Sequence, residues 1–124
     1  SCARLLKCNG ILVLSCPNYK GFEISLLGKY SVSVDNEHLN YFHPSSLSLL
    51  VEKLGFEVVE VSTPGRLDAE LVRKGVLAGD ISVEEQPFLK SVLVEKWDNV
   101  GMAFQDFLAA NALSSHMWLV ARKL

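Results

Sequence analysis

The chain of 124 residues is long enough for one domain with a hydrophobic core and too short for two ordinary domains. Hydrophobic residues make up 49% and charged residues 21%, which excludes a disordered chain. The net charge is −2 without a Lys/Arg cluster, and no apolar run reaches the roughly 20 residues of a membrane span, so neither nucleic-acid nor membrane binding is expected.

The N-terminal residues predict the end of a helix and then a buried strand. Residues 1–7 resemble a last helical turn, which the following Asn-Gly pair would end. Residues 11–16 form a continuous apolar run, which is typical of a strand buried on both faces of a sheet. Pro17 ends this strand and places Asn18 just beyond its carboxyl end, where open α/β sheets bind ligands.

A short helix, an extended stretch and a polar loop are predicted next. Apolar residues between positions 22 and 27 favour a helix that Gly28 breaks, and residues 30–34 favour an extended conformation. Residues 35–43 are dense in polar and aromatic side chains, so they form a loop that could carry a site. His43 is interpreted as a residue at the entrance of the following helix.

The middle of the chain predicts a helix and then a strand. Pro44 suits a first helical turn, and Gly55 can end the helix in a left-handed conformation. Residues 56–61 are β-branched and apolar with two interspersed glutamates, which indicates a strand. The helix has one apolar face with i, i+3, i+4 and i+7 spacing: Leu47, Leu50, Val51 and Leu54.

Residues 67–111 predict a long helical stretch. Gly75 and Gly79 would interrupt it, and Ser82 with Glu85 has capping-box spacing for a further helix. Residues 116–122 predict a last strand, apolar on both faces and therefore inside a sheet. Four carboxylates of the stretch are interpreted as solvated helix faces: Asp68, Glu70, Glu84 and Glu85.

The cysteines favour a reduced protein. Cys2, Cys8 and Cys16 are odd in number and lack C-x-x-C spacing, so neither a disulfide framework nor a zinc or other metal site is expected. Reduced cysteines are typical of the cytosol, and a cytoplasmic location is expected. Because the chain lacks an initiator Met and opens within a helix, we expect it to be a fragment of a longer protein.

Residues 5–18, LLKCNGILVLSCPN, resemble the "LLkpGG-x-l-v-l-s-x-PN" segment of class I S-adenosylmethionine-dependent methyltransferases. That segment leads into their fifth strand. Residues 38–47 resemble the family's "H-x-x-x-F-s-x-x-s-L" segment, and residues 54–59 resemble its "aGFevv" entry into the sixth strand. Residues 116–123 resemble the seventh strand, which runs antiparallel between the other two.

The resemblance implies an α/β fold, the C-terminal half of a Rossmann-like methyltransferase sheet. It would have three strands, the last antiparallel, within a single partial domain over residues 1–124. Residues 67–111 would be a helical insertion before the last strand, acting as a lid or an oligomer surface. The family's glycine-rich G-x-G loop is absent from the sequence. We therefore expect S-adenosylmethionine to be a cofactor of the full-length parent and not to be bound by this fragment.

The resemblance also implies a substrate side near the polar loop. His38 would be the general base that accepts a proton from a substrate hydroxyl, and Glu37 would hold or polarise it. Alternatively, both side chains bond loop backbone or cap the next helix. The residues expected to bind substrate are Asn18, Tyr19, Asn40 and Tyr41, although turn formation by Asn18 and core packing of the aromatic rings explain them as well.

The first functional hypothesis is methyl transfer to a small-molecule or sugar-type acceptor by the parent protein. The alternative is a non-catalytic binding or dimerisation domain that retains this half-fold, since exposed strand edges or the helical insertion could pair in a homodimer. A third hypothesis is a hydrolase that uses Cys16 or a serine, although no G-x-S-x-G motif is present.

Overall fold

A three-stranded sheet and six α-helices form the chain in a computed structural model that describes residues 1–34 and 40–124. The strands are β1 (Ile11–Pro17), β2 (Phe56–Ser62) and β3 (His116–Lys123). The helices are α1 (Cys2–Leu5), α2 (Phe22–Leu27), α3 (Pro44–Lys53), α4 (Asp68–Leu77), α5 (Pro87–Lys90) and α6 (Trp97–Ala110). A 3₁₀ turn covers Gly28–Tyr30, and a π-helix covers Ser91–Glu95.

The strand order is β1-β3-β2, and β3 is antiparallel to both neighbours. β1 and β2 are therefore parallel to each other, and their carboxyl ends meet at one edge of the sheet. Leu119 in the middle of β3 pairs with Leu14 on one side and Val61 on the other. The predicted α/β fold with a last, antiparallel strand is confirmed, as is the position of that strand between the other two.

One face of the sheet is buried and the other is open. Met117, Leu119 and Ala121 of β3 are fully buried in one cluster with Leu47 and Val51 of α3. On the opposite face Ile11 is 53% exposed, Val13 58% and Trp118 48%. The prediction that β1 and β3 are buried on both faces is therefore wrong for the described residues. An apolar run shows that a strand can be covered on both faces, but it does not supply the second cover.

α3 begins and ends as the sequence predicts. The His43 side chain accepts a hydrogen bond from the backbone N–H of Ser46, and the Ser46 hydroxyl accepts one from the backbone N–H of His43. His43 is thus confirmed as the helix-entry residue. Gly55 follows the helix with φ of 89°, a conformation that glycine takes without strain. Along the predicted apolar face Leu47 and Val51 are buried, whereas Leu50 and Leu54 are exposed.

A second cluster holds the helices between β2 and β3 together with α2. Its buried members are Leu27, Ala69, Val72, Val92, Leu93 and Leu108. The short helix before Gly28 is confirmed as α2, with Gly28 at its C-cap. Residues 30–34 were expected to be extended, but they contain the end of the 3₁₀ turn and a further turn, which carry the chain around the buried Ser31.

Two details of the helical stretch differ from the sequence prediction. Gly75 lies inside α4 and does not interrupt it. A Cβ there would come within 2.7 Å of Leu27 Cδ2, so the glycine lets α4 pack closely against α2. The expected capping box is absent: Ser82 Oγ accepts a bond from the N–H of Glu84, and the next helix begins only at Pro87. Pro87 therefore occupies a first helical turn, where it needs no N–H partner.

Candidate functional site

A cavity of about 590 Å³ lies at the sheet edge where β1 and β2 end. We call it the carboxyl-edge cavity. Its walls come from the end of β1, α2, the turn after it, the start of α4 and the start of β3. The lining residues are Ser15, Cys16, Pro17, Glu23, Val32, Ser33, Pro64, Gly65, Arg66, Leu67, Asp68, Leu71, Ser115 and His116.

Asp68 joins three of these elements through its carboxylate. It is only 4% exposed, and its Oδ1 accepts a 2.6 Å bond from the hydroxyl of Ser114. Its Oδ2 accepts a 2.7 Å bond from the N–H of Ser115 and a 3.3 Å bond from the N–H of Glu23. The N–H of Glu23 belongs to the first turn of α2, where backbone N–H groups have no partner within the helix, so Asp68 supplies its acceptor.

Ser115 completes this connection. Its hydroxyl accepts a 3.1 Å bond from the N–H of Ile24, the next free donor of the α2 first turn. Gly21 allows the close approach, because a Cβ at that position would lie 2.3 Å from the Cα of Ser115. The start of α2 is therefore held by Asp68, 45 positions later in the chain, and by Ser115, 91 positions later.

Glu23 is the least satisfied polar group of the cavity. It is 1% exposed, and its Oε2 accepts a 2.8 Å bond from the Ser31 hydroxyl. Its Oε1 is buried and accepts no hydrogen bond from the described part of the chain. Burial raises the pKa of Glu23; the Ser31 hydroxyl opposes this rise, the neighbouring Asp68 charge adds to it, and the Val32 backbone amide lowers the pKa.

His116 and Cys16 also line the cavity. The indole N–H of Trp118 donates a 2.8 Å bond to His116 Nε2, and Ser15 Oγ lies 3.4 Å from the same nitrogen. This assigns the neutral ring the Nδ1–H tautomer. Burial raises the pKa of the Cys16 thiol, which lowers its thiolate fraction, and its pairing partner across the sheet is Met117. These observations do not favour a cysteine hydrolase.

Asn18, expected to bind substrate, is fully buried behind the sheet edge. Its side-chain amide donates to the carbonyl oxygens of Ser114 at 2.9 Å and Ala112 at 3.3 Å. Its Oδ1 accepts a bond from the N–H of Lys20, which makes the predicted turn. A contact between Asn18 and substrate remains a prediction.

Tyr19 and Tyr41 lie together outside the cavity. Their ring centroids are 5.2 Å apart, and the two residues are 52% and 40% exposed. Asn18 forms a parallel bridge with Phe42, and the N–H of Tyr19 donates to the Phe42 carbonyl, which brings the two segments together. We call the two rings the aromatic ridge. Tyr19 lines a separate pocket, and Asn40 is exposed beside Tyr41.

The predicted catalytic residues Glu37 and His38 lie outside the described residues. Their catalytic role therefore remains a prediction. The same holds for Asp35 and Asn36 of the predicted polar loop.

The two cavity carboxylates were not predicted as site residues. Asp68 was interpreted as part of a solvated helix face, which is wrong, because the start of α4 turns it towards α2 and β3. Glu23 was not singled out, since a glutamate in a first helical turn is usually solvated. Its burial depends on Ser31 and Asp68, and the second of these lies 45 positions away. No local pattern in the sequence carries that information.

The described residues do not fit a complete S-adenosylmethionine site of the kind the resemblance implies. Such a site needs a glycine-rich turn open to the ligand, and the sequence has no G-x-G. Gly65 is the glycine of the cavity, but the space that its Cβ would fill is taken by Ser114 Oγ at 1.8 Å. Among the described residues no group of three His, Cys, Asp or Glu side chains could hold a metal ion, and no helix is long and apolar enough to cross a membrane.

Residues 1–61 match the model of a family described as a methyltransferase domain. The match covers α1, β1, α2 and α3 and nearly all of β2. It ends before α4, the helix that begins with Asp68. No curated protein matches the sequence. The matched family, the mixed α/β fold and the antiparallel last strand agree with one another.

Proposed function

Because this chain carries a class I methyltransferase-like domain, we propose that it serves S-adenosylmethionine-dependent methyl transfer to a small-molecule or sugar-type acceptor. The observation that carries the proposal is the cavity at the shared carboxyl edge of β1 and β2, within and beside the matched residues. Open α/β sheets bind ligands at that edge. A volume of about 590 Å³ lies in the range of small-molecule sites.

In this proposal the cavity holds the acceptor. Glu23 offers a carboxylate oxygen to a hydroxyl or amino group, and Leu71 offers an apolar wall. His38 is the proposed base that removes the acceptor proton, and Glu37 is its proposed partner. Orientation of the acceptor would supply much of the rate, since a fixed acceptor avoids the entropy cost of a bimolecular encounter.

Members of the matched family use S-adenosylmethionine, and we propose the same cofactor here. The residues described do not make a complete site for it, so the cofactor would be held mainly by residues other than these. The contribution of this chain is then the acceptor side. We also propose a cytoplasmic location, because the three cysteines are free and thiols stay reduced in the cytosol.

The test is a methyl-transfer assay with the complete gene product. Methyl-labelled S-adenosylmethionine is incubated with the protein and a small-molecule extract, and the label is measured separately in small molecules, protein and nucleic acid. The proposal predicts label in small molecules, and a decrease of at least tenfold with His38→Ala. Label that enters only protein or nucleic acid would contradict it.

A matched pair of variants connects the assay to the cavity. Glu23→Gln keeps the size of the side chain and removes its charge. Glu70→Gln makes the same change on the outer side of α4, where Glu70 forms an exposed ion pair with Lys74. We expect small-molecule labelling to fall with Glu23→Gln and to stay unchanged with Glu70→Gln. Equal labelling by both variants would remove the cavity from the proposal.

A second candidate function is supported by the open face of the sheet. Ile11, Val13 and Trp118 expose apolar surface there, and β1 and β2 are the edge strands of the described sheet. Such a face and such edges suit association, so a binding or dimerisation domain is the alternative. Analytical ultracentrifugation decides: a dimer that Val13→Lys converts to a folded monomer supports the alternative, and a wild-type monomer contradicts it.

A further inference from the structure

Glu23 Oε1 is a buried acceptor without a hydrogen-bond partner among the described residues. The oxygen is buried, and no donor from the described residues reaches it, although Oε2 of the same carboxylate is bonded to Ser31. A buried acceptor without a partner destabilises a protein, and most buried polar groups have one.

The nearest charged neighbour cannot supply the missing donor. Asp68 carries only acceptor oxygens as a carboxylate, and its three bonds already come from Ser114, Ser115 and the backbone of Glu23. Its negative charge makes the surroundings of Glu23 more negative. A positively charged donor in the cavity would be attracted by both carboxylates and would give Oε1 a partner.

The rest of the cavity fits an organic cation better than a bare ion. Leu67, Leu71 and Pro64 give it apolar walls. Arg66, at the exposed mouth, and His116 are the basic side chains of the lining, and neither forms a hydrogen bond or ion pair with Glu23. The carboxylates lie on the buried side, and Arg66 lies on the exposed side, so a ligand would enter with its positive end towards Glu23.

We propose that the carboxyl-edge cavity binds a small organic amine, whose ammonium group donates a hydrogen bond to Glu23 Oε1 while its apolar part lies against Leu67 and Leu71. This rests on the proposed function and deepens it, because it assigns the methyl acceptor to the class of amines. The ammonium group is the anchor, and a different atom of the acceptor, whose proton His38 removes, is the nucleophile that takes the methyl group. The amine site itself does not depend on methyl transfer and is tested without the cofactor.

The test is an NMR titration of the chain, labelled with ¹³C at the glutamate carboxyl groups and with ¹⁵N in the backbone. Three probes of similar shape are compared near neutral pH: cyclohexylammonium, cyclohexanol and cyclohexanecarboxylate. We expect cyclohexylammonium to shift the Glu23 carboxyl signal and the amide signals of Ser31 and Ser33. It should bind at least tenfold more tightly than the alcohol, and the carboxylate should not bind.

Two variants test the role of the charge. Glu23→Gln should weaken binding of cyclohexylammonium at least tenfold, measured at the amides of Ser31 and Ser33, while Glu70→Gln leaves it unchanged. Arg66→Gln should tighten binding about threefold, because it removes a like charge from the mouth of the cavity. Arg66 is exposed, so this variant decides the matter if Glu23→Gln does not fold.

Three results would overturn the inference: no shift of the Glu23 signal at millimolar cyclohexylammonium, equal binding of the three probes, or unchanged binding in Glu23→Gln. If the amine binds as expected and the gene product transfers no methyl group, the amine site stands and the proposed function fails. If methyl transfer occurs and the amine does not bind, the acceptor belongs to another class.

Discussion

The carboxyl-edge cavity and the aromatic ridge lie at the same end of the sheet but are built differently. In the cavity, Asp68 and Glu23 are buried and bonded to partners far away in the sequence. On the ridge, Tyr19 and Tyr41 are half exposed and contact each other, and Tyr19 lies two residues after the end of β1. Residues beside a recognisable sequence motif can therefore be predicted from the sequence, whereas buried carboxylates that only the folded chain brings together cannot.

This contrast has energetic consequences. A change in the cavity should remove several buried hydrogen bonds at once, whereas a change on the ridge should remove mainly one ring contact. Stability measurements on variants of both regions therefore test this contrast. The expected changes in the free energy of unfolding decrease from Asp68 through Asn18 and Glu23 to Tyr19.

The largest effect is expected for Asp68→Ala. The substitution leaves the donors of Ser114, Ser115 and Glu23 without their acceptor, at roughly 1 kcal/mol each. The free energy of unfolding, measured by urea denaturation, should fall by about 3 kcal/mol. The control Glu70→Gln, on the same helix, should change it by less than about 1 kcal/mol. A wild-type transition midpoint for Asp68→Ala would mean that the network does not hold α2.

Asn18→Ala should have the next largest effect. Its amide group connects the end of β1 to the carbonyl groups of Ala112 and Ser114, and the loss should cost about 2 kcal/mol of unfolding free energy. Asn99→Ala, on the exposed face of α6, is the control and should stay within about 0.5 kcal/mol of wild type. Equal midpoints for the two variants would argue that Asn18 is free for a ligand.

Glu23→Gln tests the raised pKa of the cavity carboxyl. Because the pKa is raised in the folded state, that state binds the proton more tightly than the unfolded chain. The stability that Glu23 contributes is therefore present below its ordinary pKa and is lost as the pH rises through the raised value. Glutamine does not titrate, so the variant should gain stability relative to wild type as the pH rises from acidic to neutral. Urea denaturation at both pH values measures this, and a constant difference would mean that the carboxyl is not perturbed.

Tyr19→Ala should have the smallest effect. It removes one exposed member of the aromatic ridge, and the ring contact with Tyr41 is worth about 0.5–1 kcal/mol. In the methyl-transfer assay, a rise in KM with unchanged kcat would support the predicted contact between Tyr19 and the acceptor. Loss of more than about 2 kcal/mol of unfolding free energy would show that the ridge is part of the core, and it would contradict the contrast between the ridge and the cavity.

Much of the fold could be predicted because its signals are local. The capping of α3 by His43 and the glycine at position 55 are set by residues next to them, and the strand limits follow apolar runs. The order of the strands followed from the resemblance. The open face of the sheet could not be predicted, because Val13 and Trp118 have the composition of covered residues and their exposure depends on what packs there.

The site was less predictable than the fold, because its hydrogen bonds join residues that are far apart in the sequence. Asn18 was placed at the sheet edge correctly from its position after a strand, but its hydrogen bonds to Ala112 and Ser114 required the fold. Glu23 and Asp68 meet only because α4 and β3 return to the start of α2. Spacing within one helix cannot show a contact between residues 45 positions apart.

The central proposal is that this chain supplies the acceptor side of a methyltransferase and that other residues hold the cofactor. Calorimetric titration of S-adenosylmethionine into the purified, folded chain tests it most directly, with the demethylated product as a second ligand. The account predicts no binding of either molecule, because the described residues have no glycine-rich turn open to a ligand. Stoichiometric binding that Glu23→Gln abolishes and Glu70→Gln preserves would contradict it, since the carboxyl-edge cavity would then be the cofactor site.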